Sequence, residues 1–132
     1  MSVLYLPIDE IHTKLRDKEI TVSDLVNESL KRIKEVEGKL NCFITLDEEG
    51  ALQRAKGLDE QGEVSRHPLF GIPMAIKDNL STKGLKTTCA SRHLDNYIPV
   101  FDATVVEKLQ EAQAVMMGKL NMDEFAMGSS NE

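Results

Sequence analysis

Leu69-Phe-Gly-Ile-Pro-Met-Ala-Ile-Lys-Asp-Asn79 is the stretch on which the fold turns. It runs from Leu69 to Ile76 without a charge and then meets Lys77 and Asp78. An uncharged run of that length suits a buried strand, and Gly71 and Pro73 inside it exclude a helix. Pro73 lacks an amide hydrogen, so regular pairing is expected only after it. Alternation then puts Lys77 on a face with Ala75 and Pro73, and Ile72, Met74 and Ile76 on the other. Downstream, Asp102 is expected to cap a helix with Val105, Val106 and Leu109 on its inner face, and Ala114-Val-Met-Met-Gly118 reads as a second strand behind it. Strand, helical crossover and strand make a βαβ-like unit, which calls for a mixed or parallel sheet.

Upstream of Leu69 the signals are helical. Ile8, Ile11 and Leu15 recur at three- and four-residue steps and define one apolar stripe. Thr21 followed by Asp24 opens a second helix with an N-cap and an acidic first turn. Its expected buried face is Val22, Leu25, Val26, Ser29, Ile33, Val36 and Leu40, with Lys31, Arg32, Lys34 and Glu35 turned to water. Asn41-Cys-Phe-Ile-Thr45 reads as a short extended piece. Asp47 then caps a third helix carrying Ala51, Leu52, Ala55 and Leu58, and Gly62 to Pro68 form a loop. The expected class is therefore α/β. Residues 1–66 would form an N-terminal helical layer, and residues 67–132 the start of a mixed β-sheet packed with helices.

Charge is uneven along the chain. Residues 1–66 hold 10 Lys or Arg and 14 Asp or Glu, whereas residues 67–132 hold 6 and 8. The second half is accordingly expected to lie nearer a core. The full chain has 132 residues, a net charge of −6, 41% hydrophobic and 29% charged residues, which fits an ordinary folded domain. Its acidic balance argues against a generic nucleic-acid surface, which needs clustered Lys and Arg. Cys42 and Cys89 stand alone, without a CxxC pair, and the N-terminus lacks the basic start of a secretory signal. A reducing, cytoplasmic compartment is expected.

Few residues offer chemistry. His12, His67 and His93 are scattered without acidic or Cys partners at metal-ligand spacing, so no metal is expected. Gly118-Lys119-Leu120 is not a phosphate loop, and no Gly-x-Ser-x-Gly elbow exists. Lys77 remains, on two readings. At the end of a buried strand it can sit desolvated in a polar crevice and serve as a general base, or it can snorkel to water. Gly118 to Ser130 is the second candidate, because Ala126, Gly128, Ser129 and Ser130 let backbone approach a ligand closely, although a plain loop-and-turn connection explains the same residues. Asp123 and Glu124 are adjacent, point in different directions and make a poor acid/base pair.

Leu69–Asn79, Asp102-Ala-Thr-Val-Val-Glu-Lys-Leu109 and Gly118-Lys-Leu-Asn-Met-Asp-Glu-Phe-Ala-Met-Gly-Ser-Ser130 together resemble the amidase signature family. Within it, Asn121–Ser130, Ile20-Thr-Val-Ser-Asp-Leu-Val26 and Leu46-Asp47 are most similar to the A subunits of bacterial glutamyl/aspartyl-tRNA amidotransferases. The resemblance implies a partial amidase signature fold, with residues 67–132 the first, incomplete part of its α/β core. It implies a Ser–Ser–Lys triad in which neutral Lys77 takes a proton relayed through one serine while a second attacks the glutamine side-chain amide. Ala126, Met127, Gly128 and Ser129 would line the amide pocket. The released ammonia would pass to B and C subunits that amidate mischarged Glu-tRNA(Gln) or Asp-tRNA(Asn), a ligase reaction using ATP with magnesium held by one of those partners. No cofactor is expected on this chain and no membrane. The glycine-rich runs that carry the two serines are missing: no two glycines are adjacent, and Ser129-Ser130, the single Ser-Ser pair, precedes that region. The chain is therefore expected to be an inactive N-terminal piece. A stand-alone hydrolase of small amides and a non-catalytic docking module are the alternatives. Gln113 stands at a helix end where many members of the family carry Gly, so a slightly altered terminus is expected there.

Overall fold

The computed structural model describes residues 2–130. Helices α1 (Ile8–Arg16), α2 (Val22–Leu40) and α3 (Glu48–Glu60) alternate with a short strand, β1 (Phe43–Leu46). Strand β2 (Pro73–Lys77), helix α4 (Thr104–Glu111) and strand β3 (Val115–Leu120) complete the chain. The sheet order is β1-β3-β2, with β2 parallel and β1 antiparallel to β3. This is the expected α/β arrangement: N-terminal helices followed by a small mixed sheet packed with helices.

Side-chain capping bonds start two of the four α-helices, α2 and α3. Thr21 accepts from the Asp24 amide at 3.0 Å while the Thr21 amide donates to the Asp24 carboxylate at 2.8 Å, a reciprocal capping box. Asp59, near the end of α3, adds a second anion to the same terminus by accepting from the amides of Val22 (2.8 Å) and Ser23 (3.0 Å). Asp47 caps α3 by accepting from the Gly50 amide. Asp102 does not cap α4. The N-cap is Ala103, one residue later, and the Asp102 carboxylate accepts instead from the Lys83 amide (2.7 Å) and Gln110 Nε2 (3.2 Å). It ties the preceding loop to the far end of the helix.

Amphipathic packing follows the sequence except at Leu30, Leu40, Val105 and Ile8, the last of which opens α1 and is 44% exposed. The main apolar cluster joins Ile11, Leu15, Val22, Leu25, Val26, Leu30, Ala51, Ala55 and Leu58 to Phe70, Val115 and Met117. Nine of these twelve residues come from the charge-rich half, but among the described residues 67–130 hold 17 buried positions and 2–66 hold 10, so the second half lies nearer the interior, as its lower charge predicts. The charge-rich half still supplies most of the apolar cluster because its helices put their charges on one face and their apolar residues on the other. Leu40 is 61% exposed, and Leu30 is buried instead. α2 has 19 residues, about 28 Å of helix, whereas the α3 that covers it has 13, about 20 Å, so the last turns of α2 overhang. Val105 is 43% exposed beside fully buried Val106, since α4 is short and buries only a narrow stripe.

Strand β2 begins at Pro73, where pairing was expected to start, and Val115 to Leu120 continue past the expected end of the second strand. At Gly118 in β3 an added Cβ would stand 2.2 Å from the Thr45 carbonyl oxygen, so β1 crosses too closely for any side chain. Gln113 holds a left-handed conformation (φ 61°), which glycine adopts without strain. The terminus is nonetheless regular: Ala114 N–H donates to Leu109 and Gln113 N–H to Gln110. No helix among the described residues is long and apolar enough to cross a membrane.

Candidate active site

Because β2 and β3 are parallel, their carboxyl ends open on the same edge of the sheet, the usual place for chemistry in α/β folds. Lys77 is the last residue of β2 and pairs with Leu120. Its neighbours Ile76 (3% exposed) and Asp78 (0%) are buried, while Lys77 itself is exposed. The alternation expected around Lys77 thus holds at the strand end. Of the two sequence readings, the structure places the Lys77 side chain in open solvent, and among the described residues no acidic group lies within ion-pair distance of it.

The buried lysine of this edge is Lys119, which is 0% exposed. It pairs across the sheet with Ile76, so it lies on the side of Asp78 and away from Lys77. Its ammonium donates to the Leu80 carbonyl at 2.7 Å and to Thr87 Oγ1 at 2.7 Å, and stands 3.6 Å from Asp78 Oδ1. Asp78 Oδ2 accepts from the Thr88 amide at 2.9 Å and from the Thr88 hydroxyl. Oδ1 has no hydrogen-bond partner, so the Lys119 charge is what compensates it. Burial pulls the Lys119 amine below its ordinary value of 10.5, and the Asp78 carboxylate opposes that pull.

Sequence reasoning passed over this pair. A usable signal existed: Lys119 interrupts the apolar run Val115-Met-Met-Gly-Lys-Leu120 inside a strand, where a charge is rare unless a partner waits for it. Asp78, at the carboxyl end of the neighbouring parallel strand, is the partner that a βαβ unit would bring alongside.

The second candidate segment is joined to this edge through the main chain. The Asp78 carbonyl accepts from the Cys89 amide (2.9 Å), and the Cys89 carbonyl accepts from the Phe125 amide (3.0 Å). Ser91 Oγ donates to Glu124 at 2.7 Å and closes the same junction from the side chains. Ala126, Met127, Gly128 and Ser129 follow as an exposed turn, held by Asp123 accepting from the Gly128 amide at 2.6 Å. Cys89, Ala90, Phe125 and Ala126 all have positive φ, between 51° and 58°. Each costs roughly 1 kcal/mol for a residue with a side chain, and such outliers gather where geometry serves function. Among the described residues no group of His, Cys, Asp and Glu converges as a metal site.

A mixed sheet with helices packed on it, and a lysine at the carboxyl end of its parallel strand, defines an α/β protein. The family model for Amidase matches residues 24–132, and the chain belongs to that family. It is 58% identical, over its whole length, to the A subunit of the glutamyl-tRNA(Gln) amidotransferase from Halalkalibacterium halodurans, of which it spans 28%. Among solved structures, it superposes on the A subunit of the Thermotoga maritima enzyme of that same name with a TM-score of 0.74 and 43% identity, covering 98% of this chain and 26% of that one. The native peptide amidase of Stenotrophomonas maltophilia gives a TM-score of 0.86 at 29% identity, covering 96% of this chain and 27% of that one. The chain thus spans a little over a quarter of the length of these relatives.

Proposed function

We propose that this chain is the N-terminal part of a glutaminase subunit that supplies ammonia to a tRNA-dependent amidotransferase. The observation that carries this reading is the 58% identity over the entire chain to an amidotransferase A subunit, twice the 29% to a peptide amidase of the same fold. In the reading, Lys77 is the base of the triad and the two serines lie in the remaining length that the relatives carry. A serine hydroxyl attacks the side-chain carbonyl carbon of glutamine, its proton passing through the second serine to the Lys77 amine. The proton then goes to the departing nitrogen, ammonia leaves, and water hydrolyses the acyl-enzyme to glutamate.

An amine does this work only when its surroundings keep it uncharged, so the remaining elements of the protein must cover Lys77. In the reading, the 126–129 turn lines the amide pocket with small residues and main-chain groups; its tie to the same edge through Cys89 and Phe125 supports this. B and C subunits take the ammonia and amidate the mischarged tRNA with ATP and magnesium. On this reading the 132-residue chain alone releases no ammonia from glutamine, whereas the longer protein with its partner subunits does. Ammonia release by the isolated chain would overturn the reading. Full activity of the longer protein without any partner would replace it with a stand-alone amide hydrolase.

A further inference from the structure

Lys119 is an expensive residue to place where it is. Taking an ammonium out of water costs several kcal/mol even after relaxation, and replacing a buried ion pair by apolar residues of similar volume is often neutral or stabilising. The position lies among Met116, Met117 and Leu120, where methionine would fill the same space. Packing alone therefore does not account for the charge.

What the charge touches does. All its polar contacts fall on one segment, the loop that leaves β2 directly after Lys77: Asp78, Leu80 and Thr87. That loop carries no regular strand or helix until residue 92 apart from an isolated Thr82–Leu85 bridge. Asp78 is the first residue after Lys77, and its amide donates to Leu120 at 3.2 Å. The Lys77 carbonyl accepts from the Leu80 amide at 3.1 Å, so Lys119 grips through Leu80 the same turn that closes on Lys77. From Asp78 the hold passes to Cys89 and on to Phe125, at the head of the 126–129 turn.

We propose that Lys119 is the positioning residue of this site: from the opposite side of the sheet it fixes the loop after Lys77, and thereby the direction of the Lys77 amine and the seat of the 126–129 turn. The inference rests on Lys77 being the base. Removing the ammonium frees Leu80 and Thr87 beside Lys77 directly and reaches the 126–129 turn only through the main chain of Asp78, Cys89 and Phe125, so most of the loss belongs in turnover.

The test uses the longer protein in complex with its partner subunits, assayed with glutamine. Lys119→Met combined with Asp78→Asn removes the cation without leaving a buried charge unpaired. Its kcat should fall at least about tenfold with KM for glutamine within about twofold, and the pH profile of kcat should shift, because a displaced amine meets different neighbours. A purely structural role would lower the folded fraction and leave kcat per folded molecule and its pH profile unchanged, which would overturn the proposal. Should the double variant fail to fold, Thr87→Val removes one acceptor at constant volume and should give the same split at about threefold. An unaltered kcat and pH profile in Thr87→Val would equally overturn it. Lys77→Ala, run alongside, separates the two levels. Retained turnover there sinks the base assignment, whereas lost turnover with a normal Lys119 variant sinks only the positioning role.

Discussion

His12 shows what a single buried titratable side chain does to this protein. It stands on the inner face of α1, 6% exposed, with Nε2 lacking a hydrogen-bond partner. Burial and then the positive charge of Arg16 lower its pKa from the ordinary 6.5, with His67 adding to the effect and the Phe70 and Pro68 backbone opposing it. The folded state therefore binds a proton less readily than the unfolded chain. Stability contributed by neutral His12 is complete above 6.5 and falls as pH drops from there towards the lowered folded value. Between about pH 7.5 and 5.5 the chain should lose more thermal stability than His12→Gln, measured as Tm in matched buffers. Parallel pH slopes would show that His12 does not titrate against folding. At this scale the sequence was half legible. Lys77 stood out because it ended an apolar strand, but Lys119 was hidden, since a lysine within a strand reads as a surface residue until its partner Asp78 is brought beside it.

At the scale of elements, the rules of helix ends account for most of the arrangement, and Gln113 is where they leave a cost. It occupies a left-handed position (φ 61°) at the end of α4, which glycine adopts without strain. Its carbonyl accepts from Gly71 and its side chain meets Gln61 at 2.9 Å, so the turn is held in place regardless. Gln113→Gly should stabilise the chain by about 0.5–1 kcal/mol in denaturant unfolding, the relief of strain exceeding the lost side-chain contact. A loss of stability would mean that the Gln61 contact is worth more than the strain. The existence and order of the helices and strands were readable because apolar spacing and capping residues act within a few positions. Leu40 and Val105 were misread because burial there depends on how far a neighbouring element reaches, which no local pattern records.

At the scale of the whole molecule, several large apolar residues stand exposed together with the loops of the sheet's carboxyl edge. Val100 (81% exposed), Met127 (82%), Phe101 (57%) and Ile98 (56%) stand in solvent around the loops that follow β2 and β3. The family, and with it the place of Lys77 at a strand end, was readable from three stretches whose residues are constrained by close backbone approach and strand geometry. The pairing of β1 with β3 was not, because it joins residues more than seventy positions apart through bulged registers. The most direct measurement is glutamine hydrolysis by the longer protein, with its partners, carrying Lys77→Ala. The account predicts a folded complex of unchanged Tm that releases no ammonia above the uncatalysed background. Near-normal turnover in that variant would contradict it.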